Sequence, residues 1–308
     1  MQPQPLHLPS GNLIADRRFE WARDLGAKGD LAAAADLLVQ ALELVPGYAS
    51  AWFALAELRE KLGDRAGSVA AFRKAVEADP LDRHGAALHL VRAGAAPAGA
   101  MPEGYVRALF DGYAPAFDAA LTEGLGYRAP ELLLRAVQGA HPHDRFRSAL
   151  DLGCGTGLGG AAFRPYCDWL AGVDLSPAML AQARAKVLYD SLIESDVLTF
   201  LAAQAATKTK YDLVLAADVF MYLGDLAPVL MAAAEVLVPS APIAFSVETH
   251  GGDDVMLRDT LRYAHGEAHV RSAVAVAGLA LVSLDSAATR TEKGVPVPGL
   301  VVVASGAN

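Results

Sequence analysis

Four aspartates follow successive short apolar runs of this chain at nearly equal intervals of 23, 22 and 22 residues. These residues are Asp151, Asp174, Asp196 and Asp218. Each interval has room for one helix, and strands that alternate with crossover helices form a parallel sheet. The chain from residue 148 onward is therefore predicted to be an α/β domain whose aspartates share one edge of a sheet.

Seven apolar runs mark the predicted strands of this domain. They span residues 148–152, 169–173, 188–193, 211–216, 243–247, 280–284 and 300–303. The first five are separated by lengths that suit crossover helices, whereas a polar, proline-bearing stretch without a helical pattern separates the last two. We predict a Rossmann-like, seven-stranded, mostly parallel sheet with an antiparallel hairpin at its edge.

A glycine-rich turn follows the first predicted strand, with Gly153, Gly155 and Gly157 in alternate positions after Asp151. Glycines let the backbone turn tightly against a ligand, and the helix that follows offers unpaired N–H groups. The pattern that begins at Gly155 also satisfies the dinucleotide-binding fingerprint. An acid two residues before the first glycine, however, suits a cationic ligand better than a pyrophosphate.

The four aspartates are expected to lie together because equivalent ends of parallel strands meet at one edge. Ligands of open α/β sheets bind outside the carboxyl ends of the strands, near the point where the strand order reverses. A dinucleotide site needs one ribose-binding acid there, whereas this chain supplies a row of four. The row predicts a positively charged ligand.

The first third of the chain repeats with a period of 34 residues. Gly29-Asp30 recurs as Gly63-Asp64, and Pro46 recurs as Pro80. This period is typical of tetratricopeptide repeats, which this region resembles. We predict two helix pairs that turn at Gly-Asp, followed by an incomplete third unit near residues 83–92.

A Gly/Pro/Ala stretch over residues 93–100 is the best linker candidate in the chain. We therefore predict an all-α tetratricopeptide-like domain over residues 1–97 and the α/β domain over residues 98–308. The concave face of such repeats often holds a peptide, so residues 15–92 are expected either to bind a protein partner or to mediate self-association.

Residues 104–308 resemble class I S-adenosylmethionine-dependent methyltransferases, in particular the predicted ones that carry a tetratricopeptide segment ahead of this domain. The motifs are Leu150-Asp-Leu-Gly-Cys-Gly-Thr-Gly157, Val173-Asp-Leu-Ser-Pro-Ala-Met-Leu180, Ser195-Asp196-Val197 and Asp218-Val-Phe-Met-Tyr-Leu223. Residues 105–118 also resemble the helices that cover the cofactor in this group, so residues 98–147 are expected to form N-terminal lid helices.

The resemblance implies a set of S-adenosylmethionine-binding residues. They are Asp151, Gly153, Gly155, Gly157, Asp174, Leu175, Met179, Asp196, Val197, Asp218, Phe110 and Tyr113. Asp151 would hold the methionine amino group, and Asp174 would accept from both ribose hydroxyls. Asp196 would accept from the adenine amine beside Val197, and Met179 would pack on the adenine face.

Methyl transfer is an in-line displacement, so the protein contributes positioning and charge, plus a base when the nucleophile carries a proton. The candidate catalytic residues are Asp218, Tyr222, Glu248 and His265. Four arginines occur in the same half of the domain, at positions 258, 262, 271 and 290. If two of them face the pocket, they would favour a carboxylate or phosphate on the acceptor.

The fourth-strand motif, Asp218-Val-Phe-Met-Tyr222, differs from the Asn/Asp-Pro-Pro-Tyr/Phe motif of enzymes that methylate planar amide or base nitrogens. Methylation of adenine N6 or of glutamine is therefore disfavoured, and the acceptor stays open between a small molecule and a protein. Two alternatives remain: a scaffold that binds the cofactor without turnover, and a nicotinamide-dependent oxidoreductase.

The composition excludes several other kinds of protein. A net charge of -9 without a basic patch argues against nucleic acid as a partner. Two cysteines cannot build a zinc site, and no metal is expected. No apolar run reaches the roughly 18–20 residues that cross a bilayer. We therefore expect a cytoplasmic protein that does not bind membranes.

Overall fold

The computed structural model describes residues 6–97, 99–142 and 145–306, without the side chain of Glu123. These residues divide into two compact units between Leu109 and Phe110. We call the first the repeat unit and the second the sheet unit. The domain boundary predicted between residues 97 and 98 lies upstream of this division and stays a prediction. Among the described residues, no helix combines the length and the apolarity that crossing a membrane requires.

The repeat unit consists of two helix pairs and a short fifth helix. They are α1 (Leu13–Ala27), α2 (Leu31–Leu44), α3 (Ala49–Lys61), α4 (Arg65–Ala78) and α5 (Ala86–Arg92). The division falls within α6 (Glu103–Tyr113), so residues 103–109 of this helix also belong to the repeat unit. The two pairs and the partial third unit agree with the sequence prediction.

Both helix pairs turn through the same local structure, which explains why Gly-Asp recurs after 34 residues. Gly29 and Gly63 adopt positive φ values of 88° and 80°, a region that favours glycine. The aspartate that follows each glycine caps the next helix: Asp30 accepts from the Ala33 N–H at 3.2 Å, and Asp64 accepts from the Gly67 N–H at 2.9 Å. The recurring Gly-Asp pair is therefore a turn followed by an N-cap.

The sheet unit begins with irregular helical turns and continues as alternating strands and helices. After α6 come a 3₁₀ turn (Ala114–Ala116), α7 (Phe117–Ala119), a π-helical turn (Ala120–Gly124) and α8 (Ala129–Ala140). The later helices are α9 (Leu158–Phe163), α10 (Pro177–Ala185), α11 (Val197–Ala206), α12 (Ala227–Ala234) and α13 (Glu267–Val276). Two more 3₁₀ turns span Arg164–Tyr166 and Phe220–Tyr222.

The seven predicted runs each overlap one strand of a single sheet. These strands are β1 (Phe146–Leu152), β2 (Cys167–Asp174), β3 (Ser191–Glu194), β4 (Leu213–Ala216), β5 (Pro242–Thr249), β8 (Ala280–Ser286) and β11 (Gly299–Ser305). Four short strands were not predicted: β6 (Val255–Leu257), β7 (Tyr263–His265), β9 (Thr291–Glu292) and β10 (Val295–Pro296). The last two pair with each other within the proline-bearing stretch that shows no helical pattern in the sequence.

The strand order is β3-β2-β1-β4-β5-β11-β8. The first five strands are parallel, and β11 runs antiparallel to both β5 and β8, so the predicted fold class is confirmed. The chain first extends the sheet from β1 to β3 and then returns to build on the other side of β1 with β4. The strand order therefore reverses between β1 and β4, where ligands of such sheets bind.

Both faces of the sheet are covered, which fixes the central strands as continuous apolar runs. Leu150 of β1 packs in one buried cluster with Val173 and Phe245. The neighbouring Ala149 packs in another with Leu170 and Leu215. The carboxyl ends of the strands then carry the polar residues.

Candidate functional site

The glycine turn after β1 adopts a conformation that side chains would disturb. Gly153, Gly155 and Gly157 have φ values of 62°, 54° and 92°. A Cβ on Gly153 would lie 2.6 Å from Cγ2 of Val219, the residue that follows Asp218. The turn therefore brings the backbone after β1 close to the loop after β4, at the point where the strand order reverses.

Asp174 at the end of β2 holds this turn in place. Its Oδ2 accepts from the Gly155 N–H and its Oδ1 accepts from the Ser176 N–H, both at 2.8 Å. Burial raises the pKa of Asp174, although these backbone hydrogen bonds favour the charged form. Each carboxylate oxygen has two lone pairs, so Asp174 keeps acceptor capacity toward a ligand. Leu175 lies half-buried beside it.

Ser176 and Met179 belong to the first turn of α10. Ser176 is the N-cap, accepting from the Met179 N–H at 3.1 Å, and its Oγ donates to Asp111 of α6 at 2.5 Å. The Met179 side chain is completely buried. A ring could pack on it only after its neighbours move, so its predicted contact with adenine stays a prediction.

Asp196 lies after β3 as the N-cap of α11. Its Oδ1 accepts from the Thr199 N–H at 3.0 Å. Within the described residues, Oδ2 of Asp196 accepts no hydrogen bond, and the side chain is half-buried. Val197 beside it is also half-buried. The predicted contacts of Asp196 and Val197 with adenine stay predictions.

Asp151 lies in β1 beneath the glycine turn. Its Oδ2 accepts from the Tyr189 hydroxyl at 2.7 Å, and that hydroxyl accepts from the Gly160 N–H at 3.0 Å. The pKa of Asp151 is raised to about 7, mainly by burial; the Tyr189 hydrogen bond lowers it and the nearby charge of Asp174 raises it. The charge of Asp174 is thus close enough to influence the ionisation of Asp151. Direct contact of Asp151 with an amino group stays a prediction.

Aromatic side chains lie beside the turn. Phe110 meets Tyr222 edge to face at 5.3 Å between ring centroids, and Tyr113 meets Phe117 in the same way at 5.4 Å. Phe117 Cε1 is 3.9 Å from where a Cβ on Gly155 would lie. Phe117 therefore lies near the glycine turn and is an addition to the predicted set, whereas the cofactor contacts of Phe110 and Tyr113 stay predictions.

Two aspartates that the sequence did not single out fasten this aromatic segment. Asp118 Oδ1 accepts from Thr156 Oγ1 at 2.5 Å, and its Oδ2 pairs with Lys186 Nζ at 2.6 Å. Thr156 lies between two glycines of the turn. Together with the Asp111 contact to Ser176, these bonds tie the segment to the ends of β1 and β2.

Asp218 after β4 differs from the other three aspartates because it is ion-paired. Its Oδ2 accepts from Arg290 Nη1 at 2.8 Å and from Thr289 Oγ1 at 3.1 Å. Its Oδ1 accepts from Ser246 Oγ at 2.7 Å. The backbone is held at a φ of 55°, unusual for a residue with a side chain, by a 2.8 Å bond from its N–H to Ser246 Oγ.

Glu248 at the end of β5 lies in the same network. It is 3% exposed and contacts Arg258 at 3.2 Å, Arg262 at 3.4 Å and Arg290. Arg290 is itself 4% exposed and also binds Glu292 at 3.2 Å. Glu248 is therefore a buried counter-ion of arginine, and Asp218 is a partly buried one.

This network corrects the predicted roles of the arginines. Arg258, Arg262 and Arg290 are neutralised by protein carboxylates, and Arg271 pairs with Glu267 on α13 at 2.8 Å. None of the four is a free cation for a substrate anion. The segment that carries Arg290 returns over the strand ends because the Arg128 N–H donates to the Thr289 carbonyl at 2.7 Å.

His265 in β7 is completely buried. Its Nε2 lies 2.8 Å from the carbonyl oxygen of Leu223, and within the described residues its Nδ1 has no partner. Burial lowers the pKa of His265 to about 4, so the ring is neutral and Nε2 donates. This geometry fixes the turn after Phe220–Tyr222 and gives no access to an acceptor.

Of the four predicted catalytic residues, Asp218 and Glu248 are ion-paired and His265 is buried against the Leu223 carbonyl. Tyr222 is the one that is neither. Burial is the main reason that the pKa of Tyr222 is raised, and the nearby guanidinium groups of Arg262 and Arg290 lower it. Tyr127, which the sequence did not single out, lies nearby. Burial and the negative charges of Asp218 and Asp151 raise the pKa of Tyr127 well above its usual value. Among the described residues, no group of His, Cys, Asp and Glu could hold a metal ion.

Comparison with known families identifies both parts of the chain. A family model described as a methyltransferase domain matches residues 150–243, and one described as a tetratricopeptide repeat matches residues 27–90. Human methyltransferase-like protein 27 is 44% identical over 88 residues, which are 27% of this chain and 34% of that protein. The match thus spans about a third of the length of this curated relative.

Solved structures of methyltransferases resemble part of the chain. An S-adenosylmethionine-dependent methyltransferase from Clostridium acetobutylicum is 16% identical, with a TM-score of 0.48 over 64% of this chain and 98% of its own. The N-methyltransferase NodS from Bradyrhizobium japonicum, in complex with S-adenosyl-L-homocysteine, is 18% identical, with a TM-score of 0.44 over 58% and 86%. Residues 150–243 are a methyltransferase domain and residues 27–90 are tetratricopeptide repeats, which confirms both resemblances inferred from the sequence.

Proposed function

We propose that this protein transfers the methyl group of S-adenosylmethionine to an acceptor. The observation that carries the proposal is the position of Asp174, which is bonded to the glycine turn through Gly155 and has acceptor capacity left on both oxygens. A vicinal pair of ribose hydroxyls presents two donors to such a carboxylate. Asp196, one strand further along the sheet, offers Oδ2 to the adenine amine.

The charges near the glycine turn fit this cofactor better than a dinucleotide. Asp151, Asp174 and Asp196 have no arginine or lysine partner among the described residues. A pyrophosphate would meet uncompensated like charge there, whereas an ammonium and a sulfonium would be attracted. When bound, S-adenosylmethionine supplies a methyl group activated by its positive sulfur.

The residues of this chain would bind, orient and enclose the cofactor. Asp174 and Asp196 would fix the nucleoside, and the bare backbone of Gly153 and Gly155 would allow the methionine end to approach. Phe110 and Phe117 would exclude water above the turn, which strengthens electrostatic interactions inside. Proximity and charge of this kind supply most of the rate in a displacement that needs no covalent help from the protein.

Two measurements test this function. Calorimetry with S-adenosylmethionine and with NADH should give binding of the first and no measurable binding of the second. Incubation with methyl-labelled S-adenosylmethionine and a cell extract should then label an acceptor only when the protein is present. Preferential NADH binding would favour an oxidoreductase, and cofactor binding without any labelling would favour a non-catalytic scaffold.

The acceptor, small molecule or protein, and the role of the repeats are further parts of the proposal. We propose that the repeat unit recruits a partner or mediates self-association. Trp21 of α1 supports this because its side chain is 56% exposed, an unusual position for a large aromatic residue. Substitution Trp21→Ala should alter either the sedimentation coefficient or the set of labelled acceptors, whereas Arg23→Ala on the same helix should alter neither.

A further inference from the structure

Three polar residues of the repeat unit occupy equivalent positions of successive repeats. Asp16, Ser50 and His84 are spaced by 34 residues, the period of the repeats. Asp16 lies in the first turn of α1, Ser50 is the second residue of α3, and His84 lies two residues before α5. Equivalent positions of stacked repeats lie along one face. We call these three residues the repeat row, and His84 Nε2 lies 3.1 Å from Ser50 Oγ within it.

The residues before α1 run along the repeat row. We call residues 6–12 the leading segment. The Ser10 N–H donates to Asp16 Oδ1 at 2.8 Å. The Leu8 N–H donates to Ser50 Oγ at 2.8 Å, and Ser50 Oγ donates to the Leu8 carbonyl at 3.0 Å. Alternate residues of the leading segment therefore bond to successive repeats, and the N–H and C=O of Leu8 point to the same side, as in an extended strand.

The Ser50 hydroxyl is fully used only when the leading segment is present. A serine hydroxyl has one donor and two acceptor lone pairs. Its donor goes to the Leu8 carbonyl, so the Leu8 N–H and the His84 Nε2–H fill the two lone pairs. Ser50 is 1% exposed, and a buried hydroxyl without its partners is costly. The repeat row therefore requires the N–H and C=O of an extended chain.

The repeat unit also contacts one side chain of the leading segment closely. The His7 ring stacks on Phe19, with 4.8 Å between ring centroids and 7° between the ring planes. His7 Nε2 lies 2.8 Å from the hydroxyl oxygen of Tyr48, which is 2% exposed. A planar ring with a nitrogen at its far end thus fits between these two aromatic residues, whereas both neighbours of His7 are only half-buried.

The attachment of the leading segment suits exchange for another peptide. None of residues 6–10 is fully buried. The bonds to Asp16 and Ser50 come from backbone groups, which other peptides also have. The segment joins α1 through Gly11, whose φ is 78° and where an added Cβ would meet no atom within 4 Å. Segments with few buried apolar contacts open at a low cost in free energy.

Resting on the proposed recruitment of a partner, we infer that the repeat row is a peptide-binding site that the leading segment fills in the free protein. Its partner is an extended protein segment that carries a planar, nitrogen-bearing ring such as histidine directly before the residue bonded to Ser50. A short tether gives the leading segment an effective concentration in the millimolar range. It therefore lowers the apparent affinity for the partner by the fraction of time that it fills the site.

A labelled copy of the leading segment tests this site. The probe is a fluorescein-labelled peptide with the sequence of residues 6–12, and fluorescence anisotropy measures its binding to the full-length protein. His7→Ala combined with Leu8→Pro removes the stacked ring and the N–H that Ser50 accepts, so it releases the leading segment. We expect this released variant to bind the probe at least about tenfold more tightly than the parent protein. Pro9→Ala, at an exposed position, should bind it as weakly as the parent. Equal probe affinity in the parent and the released variant would overturn the inference, because the segment would then be a fixed cap.

Changes in the probe and in the repeat row test the recognition itself. A probe that carries His7→Ala should bind the released variant about 5- to 20-fold more weakly, because it loses a stacked ring and a hydrogen bond. Adding Ser50→Ala to the released variant should weaken binding of the original probe about tenfold. Ser68→Ala, at a buried serine of α4, is the matched control and should leave the affinity unchanged. Probe affinity that ignores both changes would contradict the assignment.

Two further measurements separate this inference from its alternatives. Sedimentation of the parent protein should show no dimer that disappears in the released variant. Such a dimer would overturn the inference, because the segment of one copy would then fill the site of a second copy. Calorimetry with S-adenosylmethionine on the same preparations tests methyl transfer separately. Loss of probe binding with intact cofactor binding would overturn the peptide site alone, whereas probe binding without cofactor binding would overturn the proposed methyl transfer and support the site.

Discussion

The two halves of the site carry similar numbers of carboxylates but treat them in opposite ways. At the ends of β1, β2 and β3, Asp151, Asp174 and Asp196 are bonded to hydroxyl or backbone N–H groups. At the ends of β4 and β5, Asp218 and Glu248 are paired with buried arginine. Charge without a cation partner is thus kept where a cationic cofactor would bind, and it is cancelled where the acceptor would enter.

This difference indicates that the unpaired carboxylates bind a ligand, whereas the ion-paired carboxylates stabilise the fold. Uncompensated buried charge costs folding free energy, so it persists only where a ligand benefits. A buried ion pair contributes little net stability, yet breaking it is costly. We call Asp151, Asp174 and Asp196 the cofactor half and Asp218 and Glu248 the acceptor half. Substitutions in the cofactor half should mainly lower cofactor affinity, and substitutions that break the ion pairs of the acceptor half should mainly lower the free energy of unfolding.

The largest expected effect is the loss of Arg290. Arg290→Met leaves Asp218 and Glu248 buried without their shared cation, and we expect the free energy of unfolding to fall by about 3–5 kcal/mol. Urea denaturation measures it. Arg271→Met removes an exposed pair with Glu267 and should cost less than about 1 kcal/mol. Equal losses for the two variants would contradict the buried ion-pair network assigned to the ends of β4 and β5.

Gly153 tests the junction between the two halves. Gly153→Ala adds a Cβ at a φ of 62° and within 2.6 Å of Val219, so the free energy of unfolding should fall by about 1–3 kcal/mol. Cofactor affinity should fall as well, because the turn must shift. Gly139→Ala on α8, where no atom lies within 4 Å of the added Cβ, should be neutral or stabilising. A stable, tightly binding Gly153→Ala protein would mean that the turn need not approach Val219.

Asp151 should make cofactor binding depend on pH. Its pKa near 7 in the free protein means that the carboxyl is largely protonated at pH 6. A cationic cofactor favours the ionised form, so affinity should rise as pH increases toward about 7 and then level off, with up to about tenfold change per pH unit below it. Asp151→Asn should flatten this profile between pH 5.5 and 7.5. A profile that keeps its slope in the variant would assign the titration to another group.

The smallest expected effect concerns Asp196. Asp196→Ser keeps an N-cap for α11 but withdraws the carboxylate from the adenine amine, so S-adenosylmethionine affinity should fall about five- to tenfold, near 1 kcal/mol. The melting temperature should stay within about 2 °C of the parent value, because the cap survives. An affinity matching that of the parent protein would remove Asp196 from the cofactor half.

The sequence was sufficient to predict features whose chemistry is local. The Gly-Asp turns at Gly29 and Gly63 and the apolar runs of the seven main strands depend on neighbouring residues. The strands β6 and β7 were not predicted because each has only three residues among polar neighbours, which is too short for a recognisable apolar run. Tyr263 and His265 then had no predicted strand to place them.

Contacts between distant residues account for the rest of what the sequence did not predict. Arg290 and Asp218 are 72 residues apart, and Tyr189 and Asp151 are 38 apart. The sequence contains both Asp218 and Arg290, but it does not show that the two side chains pair. The four aspartates therefore looked equivalent, although the fold leaves three without a cation and pairs the fourth with Arg290.

The central claim is that carboxylates without a cation partner beside the glycine turn bind S-adenosylmethionine, and Asp174 tests it most directly. Calorimetry should compare the parent protein with Asp174→Ala and with the exposed control Asp285→Ala. Losing two hydrogen bonds to a charged acceptor should weaken binding about 100-fold in the first variant, near 3 kcal/mol, and leave the control unchanged. Unchanged affinity in a folded Asp174→Ala protein would contradict the account.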